Sequence, residues 1–468
     1  MSDCTCPRRS FIRSLAAGST LLPGLVAGLL ADDARTGDDP LAPRQPHFPA
    51  KAKRVIFVYL SGGVSHVDTF DPKPRLFADH GKEIKADHPE IKNRPGYERI
   101  FLKRPQWTFE PRGRCGTEVS TLFPHVAGCA DEIALIRSMH TSHSNHFNAT
   151  LGIHTGSFTV ARPSLGAWVS YGLGTENRNL PSYMVLAPAT PYAGMQVWAS
   201  DFLPAEHQGT WVVPGTEPIA NIRRRASTSR LQDLERAALR ERNAAHLAER
   251  AGDPLLAARL RSFETAAGMQ LEAPDAFDLS KESDDTLALY GLKRGQTTGF
   301  AWQCLVARRL CERGVRFIEL IDTGSSGNWD SHGDMMDHAR LAKNVDHPTA
   351  GLLRDLKRRG MLDDTLVVWT TEFGRTPFNS TADHKGREHH NWAFSSWLAG
   401  AGVKPGIVHG ETDEYGLRVV KDGVHAHDFH ATILHLMGFD HTKLTFRHSG
   451  RDYRLTDVQG NVVNALLA

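Results

Sequence analysis

The feature that most constrains this fold is a helix–glycine–strand pattern that occurs twice in the C-terminal half. An apolar stripe over 302–310 is followed by a glycine and then by the β-branched and aromatic run 315–321. A second stripe over 352–356 is followed by another glycine and by the run 366–370. Apolar residues at helical spacing, a glycine stop and a short apolar run are typical of a helix leading into a buried strand. The two units predict an α/β fold, with a doubly wound, mostly parallel sheet and helices on both faces.

A third apolar run, 55–60, lies near the start of the folded part of the chain. It is typical of a buried strand, and it ends in a sharp Ser-Gly-Gly turn at 61–63. Between this strand and the next, the segment 223–300 is mainly helical in pattern. Within it, Asp253 followed by Pro254 is typical of a helix start. The segment therefore predicts a helical insertion in the α/β fold.

Carboxylate and imidazole side chains follow each of the three strands. They are His66 and Asp68 after the first, Asp330 and His332 after the second, and Glu372, His389 and His390 after the third. Ligands of open α/β sheets bind beyond the carboxyl ends of the strands, so we expect these side chains to lie together. Mixed histidine and carboxylate ligands predict one or two divalent metals, zinc or manganese, with calcium as the alternative.

Two further residues carry predictions about catalysis. Arg375 comes three residues after Glu372, where its guanidinium either grips an oxyanion or forms a structural salt bridge. The histidine-rich stretch 140–156 lies between the first two strands and contains His146. We predict a catalytic role for Arg375, whereas the role of His146 follows from a family resemblance.

The histidine-rich tail predicts a terminal helix within 424–438. Asp428 is predicted to cap its start and Gly438 to end it. At helical spacing, His435 is interpreted as a packed or capping residue. His427 is interpreted as possible outer support for a metal site.

The first thirty residues are an export signal in pattern. Arg8 and Arg9 precede an apolar run rich in Gly, Ala and Leu, which contains Pro23 and is a poor membrane span. We predict a twin-arginine signal peptide at 1–31, a linker at 32–50 and one folded domain at 51–468. A retained membrane anchor is the alternative. The expected location is the periplasm, without stable membrane insertion after the leader is removed.

Charge and cysteine content exclude several classes of protein. A formal net charge of +2 does not support a nucleic-acid or membrane-surface role. The six cysteines do not form a disulfide framework, because Cys304 and Cys311 lie too far apart on one helix to pair. Cys115 and Cys129 have the option of pairing, but nothing in the sequence requires it.

The ordered motifs resemble domain-of-unknown-function family 1501, a family grouped with the alkaline phosphatase/sulfatase superfamily. These motifs are LSGGVSHVDTFDPKP, GNWDSHGD, TTEFGRTP, GREHHNW and DFHATILHLMGFDH, after a twin-arginine leader. The resemblance implies an alkaline phosphatase-like sheet with two metals above its edge. It also implies an exported hydrolase of phosphate or sulfate esters acting on a small molecule or a glycan. By position, it implies metal roles for Asp330, Glu372 and either His389 or His390.

Departures from the superfamily pattern support an alternative. The first strand ends in Ser61-Gly62 rather than a metal-binding Asp, and Phe373 replaces a metal-binding His. Neither Cys115 nor Cys129 lies in a C-x-P-x-R motif, which excludes a formylglycine nucleophile. The resemblance implies a nucleophile within SNHFNATLG, where the candidates are Ser144, His146, Asn148 and Thr150. His146 is favoured among them, as a metal ligand or as the nucleophile. The alternative is a non-catalytic, metal-containing module that binds sulfated or phosphorylated glycans.

Overall fold

The structure is a computed structural model that describes residues 40–85, 97–223, 227–250 and 253–468. The chain divides into two units, Met1–Ala42 and Pro43–Ala468. The second unit contains every helix and strand discussed below. The predicted signal peptide and the first part of the predicted linker lie outside the described residues.

A nine-stranded mixed sheet organises the described part of the chain. Its strands are β1 (Arg54–Tyr59), β2 (Ile133–His140), β3 (Tyr183–Leu186), β4 (Thr210–Val212), β5 (Phe317–Ile321), β6 (Thr365–Thr370), β7 (Phe394–Ala399), β8 (Ile407–His409) and β9 (Val424–His425). The order is β8-β2-β7-β6-β1-β5-β3-β4, with β9 also paired to β2. Only the pairings of β7 are antiparallel, so the mostly parallel sheet predicted from the sequence is confirmed.

Eight helices of seven or more residues accompany this sheet in the described ranges. They are α1 (His146–Thr155), α2 (Leu165–Leu173), α3 (Ser229–Glu249), α4 (Pro254–Phe277), α5 (Asp284–Tyr290), α6 (Phe300–Glu312), α7 (Asp337–Arg358) and α8 (Ala426–Leu436). The helices α3 to α5 fall in the segment that the sequence predicted as a helical insertion. None of the described helices has the length and apolar character that crossing a membrane requires.

Helices cover both faces of the sheet because successive strand residues point to opposite sides. In β1, Ile56 and Val58 belong to a core shared with α6 and α7, whereas Val55, Phe57 and Tyr59 belong to a core shared with α1, α2 and α8. Each strand residue is therefore buried against a helix layer, which explains why the three runs read from the sequence are almost wholly apolar.

Shorter elements connect these layers. They are the helices His66–Thr69, Pro74–Ala78 and Pro124–Ala127 and the strands Glu83–Ile84, Ile100–Leu102, Phe109–Arg112, Thr117–Ser120, Gly374–Arg375, Phe378–Asn379, His389–His390, Glu411–Thr412, Val419–Lys421, Phe446–His448 and Arg451–Tyr453. The strands Gly374–Arg375 and His389–His390 pair with each other after β6, and they carry the predicted site residues Arg375, His389 and His390.

The prediction for the start of the terminal helix is wrong by three residues. Helix α8 is capped by His425, and Asp428 is instead the third helical residue. Its carboxylate accepts a hydrogen bond from the His425 N–H, while the His425 ring accepts one from the His427 N–H. A capping box uses the residue at the cap and the residue three positions later. Asp is a common capping residue and His is not, so the sequence pointed to Asp428 rather than His425.

The described cysteines are all free. Cys115 is exposed and Cys129 is buried, so they do not form the optional disulfide.

Candidate metal centre

Three parallel strands end at one level of the sheet. Tyr59, the last residue of β1, is paired with Thr370 at the end of β6 and with Ile321 at the end of β5. The chain segments that follow these strands therefore leave the sheet side by side. Glu372 follows β6 by two residues, and Asp330 lies in the loop after β5.

A cluster of nitrogen and oxygen ligand atoms lies beyond this edge. The ligand atoms of His146, Asp330 and His389 all lie within 4.8 Å of one another. The Asp330 Oδ1 atom is 3.1 Å from His146 Nε2 and 3.2 Å from His389 Nε2. His332 adds a further nitrogen, because its Nε2 atom is 2.9 Å from Asp330 Oδ1 and 2.9 Å from His389 Nε2.

The opposite ring nitrogen of each histidine is held by an acceptor. His146 Nδ1 lies 2.7 Å from Glu372 Oε1, and His332 Nδ1 lies 2.9 Å from Glu388 Oε2. His389 Nδ1 lies 2.8 Å from the carbonyl oxygen of Ser144. A carboxylate or carbonyl oxygen accepts a hydrogen bond, so each Nδ1 carries the proton. In the neutral imidazoles, each Nε2 then carries a lone pair.

This arrangement fits a metal cation. The lone pairs of His332 and His389 face each other at 2.9 Å and repel unless a proton or a cation lies between them. His146 Nε2 is buried and makes no hydrogen bond of acceptable geometry with the described residues. Metal-binding histidines typically donate their second N–H to a carboxylate or carbonyl, as all three do here.

Glu372 supports the cluster from behind. Its side chain is fully buried and accepts hydrogen bonds from the Tyr59 hydroxyl at 2.9 Å, the Thr371 hydroxyl at 3.0 Å and the Gly62 N–H at 2.9 Å. Together with His146 Nδ1, these contacts occupy both carboxylate oxygens. Glu372 therefore supports the candidate ligand His146 from behind. The cluster of ligand atoms itself forms around Asp330.

Arg375 is also buried, and its donors are directed at protein acceptors. Its Nε donates to the Gly63 carbonyl at 3.0 Å, and its terminal nitrogens donate to the carbonyls of Gly62 and Arg387 and to Asp330 Oδ1. Of the two interpretations of Arg375 from the sequence, this geometry favours the salt bridge that holds Asp330.

The charges around the cluster shift several pKa values. Burial opposes ionisation of Asp330, but contacts with three histidines and Arg375 hold its pKa far below the ordinary value. Hydrogen bonds to Asp330 and Glu388 raise the pKa of His332 to about 9. Burial lowers the pKa of His389, which faces one carboxylate and the Arg375 charge. Without a cation, His332 therefore carries the proton that relieves the repulsion between the two lone pairs.

Three of the predicted metal ligands lie outside this cluster. Asp68 is buried and binds Arg387 Nε at 2.7 Å and the Ser65 hydroxyl at 2.6 Å. The ring of His66 stacks on that of His390 at 5.6 Å, and His66 Nε2 lies 2.9 Å from the Gly416 carbonyl. Asp68 is linked to the cluster only indirectly. It binds the Arg387 side chain, and the Arg387 carbonyl accepts a hydrogen bond from Arg375, which in turn holds Asp330.

Sequence reasoning missed two contributors. Tyr192, in the loop after β3, stacks its ring on His146 at 4.2 Å, and its hydroxyl lies 3.4 Å from Asp330 Oδ2. Its position on the predicted edge of the sheet was the available signal, but β3 was not predicted. Glu388 lies with His389 and His390 in GREHHNW after the third predicted strand, but no role was predicted for it, because its pairing with His332 has no signature in the sequence.

The four candidate nucleophiles are in different environments. Thr150 lies 2.9 Å from the Tyr59 hydroxyl, and Asn148 donates to the Phe158 carbonyl. Both ring nitrogens of His146 face carboxylates. Ser144 borders the cluster, because its carbonyl accepts from His389.

Comparison with known proteins identifies the family. The family model described as "Protein of unknown function (DUF1501)" matches residues 52–467, so the chain belongs to that family. A search of curated proteins found no match.

Several solved structures are similar at low sequence identity. The lipoteichoic acid synthase LtaP from Listeria monocytogenes is 10% identical, with a TM-score of 0.38 and coverage of 89% of this chain and 79% of that one. The PsFucS1 sulfatase from Pseudoalteromonas sp. is 13% identical, with a TM-score of 0.34 and coverage of 89% and 71%. Alkaline phosphatase from the Antarctic bacterium TAB5 is 13% identical, with a TM-score of 0.32 and coverage of 79% and 96%. At these identities and TM-scores, the likeness does not assign an activity to this chain.

Proposed function

We propose that this member of the DUF1501 family is an exported, metal-dependent hydrolase of phosphate or sulfate esters. The observation that carries the proposal is the convergence of His146, His332 and His389 Nε2 on Asp330 Oδ1, with every Nδ1 held by an acceptor. Without a bound cation, the 2.9 Å contact between His332 and His389 depends on an extra proton on His332, and a divalent cation would take the place of that proton.

His146, His389 and Asp330 would hold the metal, with His332 as a fourth ligand. Nitrogen and carboxylate donors suit zinc or manganese better than calcium. Asp330, Glu372 and Glu388 all have lowered pKa values and are ionised, whereas Arg375 is the one cation bound to this group among the described residues. With neutral imidazoles, the three carboxylates and the Arg375 guanidinium together carry a charge of −2, which matches one divalent cation.

When bound, such a cation polarises an ester oxygen and lowers the pKa of a water molecule. The residues of the chain orient that chemistry. Glu372, Glu388 and the Ser144 carbonyl fix the three rings, and Arg375 fixes the carboxylate of Asp330. The Tyr192 hydroxyl donates a long hydrogen bond of 3.4 Å to Asp330 Oδ2, and in the proposed mechanism this proton turns to an ester oxygen of the bound substrate.

Water is the attacking group that fits this site best. Ser144 is the side-chain alternative because of its position at the edge of the cluster, where its carbonyl accepts from His389. Replacing Ser144 with Ala distinguishes the two routes. Water attack predicts that Ser144→Ala retains most of kcat, whereas attack by the serine predicts its loss.

The test is metal content and ester hydrolysis measured on the same preparations. Protein purified without chelator should contain about one zinc or manganese per chain and should hydrolyse 4-nitrophenyl phosphate or sulfate. Asp330→Ala should lose both properties. Asp337→Ala is the matched control, because Asp337 is exposed at the start of α7 and should retain both. Equal metal content in the two variants would refute the proposed centre.

A non-catalytic binding module is the second candidate. It is favoured by the burial of Arg375, whose guanidinium is fully engaged by protein acceptors and does not reach a substrate oxyanion. Metal-dependent binding of a sulfated oligosaccharide without turnover of any tested ester would select this candidate.

Export by the twin-arginine pathway completes the proposal. It is supported by Arg8 and Arg9 ahead of the apolar run in the leader. Replacing both arginines with lysine should retain the protein in the cytoplasm, whereas export of this variant would contradict the twin-arginine route.

A further inference from the structure

A basic cavity of about 160 Å³ adjoins the loop that carries His332. Its walls come from the segment after the strand Ile100–Leu102, from the segment 382–387 and from the loop before α7. The lining residues that carry the argument are Lys103, Arg104, Asp383, His384, Lys385 and Arg387. The cavity has room for several water molecules, and therefore for a sulfate or phosphate group.

Lys103 is a buried cation that lacks a counter-charge. It is 6% exposed and forms no ion pair in the described part of the chain. Its Nζ atom donates a hydrogen bond to the Ala382 carbonyl, and both residues line the cavity. Burial lowers the pKa of the Lys103 ammonium, with a smaller opposing effect from Asp383. Because lysine is rarely buried unless an anion pairs with it, this cavity is the place where such an anion binds.

His384 offers a second donor to the cavity. Its Nδ1 atom accepts hydrogen bonds from the Gly386 N–H at 3.1 Å and from the Asn379 amide at 3.0 Å. Since the Nδ1 lone pair is used in this way, a neutral His384 carries its proton on Nε2. That Nε2–H group makes no hydrogen bond within the described ranges. An oxyanion in the cavity would supply the acceptor.

Two exposed cations add positive charge to the lining. The side chains of Arg104 and Lys385 form neither an ion pair nor a hydrogen bond among the described residues. The carboxylate of the lining is Asp383, which also forms no ion pair there. Three cations without ion pairs, counting Lys103, therefore outnumber this one carboxylate. The charge of the lining favours an anionic ligand.

Arg387 is part of the wall and not a donor to the ligand. Its Nε atom binds Asp68 Oδ2 at 2.7 Å, which neutralises its charge. Its terminal nitrogens donate to the carbonyls of Thr376 at 3.0 Å and of Lys103 and Arg104 at 3.2 Å each. Arg387 therefore holds in place the backbone from which Lys103 and Arg104 project.

The cavity and the metal centre share a wall. The Met335 N–H donates to the Lys385 carbonyl at 3.2 Å, and a Cβ on Gly386 would lie 1.7 Å from the His332 carbonyl oxygen. Lys385 is four residues from the candidate ligand His389, and an extended chain covers at most roughly 14 Å over that length. A molecule that carries two anionic groups this far apart is long enough to span both places.

We infer that this cavity is an anion site for a sulfate or phosphate group, with Lys103, His384 and Lys385 as its donors. The site rests on the unpaired buried ammonium of Lys103 and on the donors around it, and it does not depend on ester hydrolysis. The group belongs either to a multiply charged substrate or to a free inorganic ion. Only the first of these sources rests on the proposed function.

The test is calorimetric titration of the metal-loaded protein with inorganic sulfate and with a multiply sulfated oligosaccharide. Lys103→Met keeps the length of the side chain and removes its charge, so affinity for the bound anion should fall about tenfold, the effect of losing a hydrogen bond to a charged group. Lys385→Ala changes an exposed residue, retains the fold and should lower affinity about threefold. Lys343→Ala is the matched control, because Lys343 is an exposed lysine of α7 that does not line the cavity. Equal affinities of all three variants for both ligands would overturn the inference.

The same titrations distinguish the two sources of the anion. Weaker binding of the oligosaccharide but not of inorganic sulfate in Lys103→Met and Lys385→Ala would assign the cavity to a substrate group. Weaker binding of inorganic sulfate alone would assign it to a free ion. Crystals soaked in selenate locate the site directly. An anomalous peak within hydrogen-bond distance of Lys103 Nζ is expected, and a peak at the metal centre alone would overturn the inference.

Failure of this inference is distinguishable from failure of the proposed function. Metal content and ester hydrolysis are measured on the same preparations and should be the same in Lys385→Ala and in Lys343→Ala. Anion binding that depends on Lys103 and Lys385, in a protein that hydrolyses no ester, would uphold the anion site and reject the proposed hydrolase.

Discussion

The Nδ1 atom of His146 lies 2.7 Å from the Oε1 atom of Glu372, across 226 positions of sequence. His146 is the first residue of α1, and Glu372 follows the central strand β6. This contact turns Nε2 of His146 toward Asp330 and converts a predicted metal ligand, Glu372, into the support of another. In the proposed metal centre, it makes His146 a ligand and Glu372 the group that orients it.

Glu372→Gln should weaken metal binding without abolishing it. Gln keeps an oxygen for His146 Nδ1 but loses the negative charge, and removal of such outer support typically costs about 10-fold to 100-fold in affinity. A chelator competition titration measures the change. A loss of all metal, as expected for Asp330→Ala, would instead make Glu372 a direct ligand.

Gly62→Ala should disrupt the centre from the backbone side. A Cβ at this position, where φ is +115°, would lie 2.6 Å from the Trp329 nitrogen and 2.7 Å from the Asp330 nitrogen. Displacing that loop moves Asp330, so we expect about 1–3 kcal/mol of destabilisation together with weaker metal binding. Urea denaturation and metal titration test both effects. Gly81→Ala is the control, because φ is also positive there but a Cβ at Gly81 meets no atom within 4 Å.

Tyr192→Phe should reduce kcat and leave metal content unchanged. The substitution keeps the ring that stacks on His146 but removes the hydroxyl beside Asp330 Oδ2. Loss of one hydrogen-bond donor to a reacting oxygen typically lowers kcat by about a hundredfold. Steady-state kinetics on a 4-nitrophenyl ester provides the measurement, and an unchanged kcat would show that this hydroxyl does not contact the reacting group.

The folded chain should lose stability as the pH falls below about 6.5. Burial lowers the pKa of His207 and of His430 to about 3, well below the ordinary value that each regains on unfolding. The unfolded state therefore binds more protons between these values, and each histidine costs about 1.4 kcal/mol per pH unit. Urea denaturation across this range should show a shallower slope for His207→Gln. The exposed His448→Gln is the control and should retain the full slope.

The sheet was predictable because its signals are local. The buried runs of β1, β5 and β6 are almost wholly apolar, and a glycine ends the helix before β5 and the helix before β6, so the local pattern located all three strands within two residues. The other six strands of the sheet, β2, β3, β4, β7, β8 and β9, were not predicted, and four of them (β3, β4, β8 and β9) have only two to four residues. Short strands carry too few residues to show a period.

The sequence by itself determined the α/β class, the family and the set of histidines and carboxylates at the strand ends. The tertiary structure decided which of these side chains meet. His146 enters the cluster because the start of α1 reaches the edge beside β6, whereas Asp68 binds Arg387 and His66 stacks on His390. Spacing along a strand fixes which edge a residue reaches. The partner of a charged side chain depends on loop paths, because a buried charge is stable only beside the opposite charge or a hydrogen-bond donor that folding brings to it.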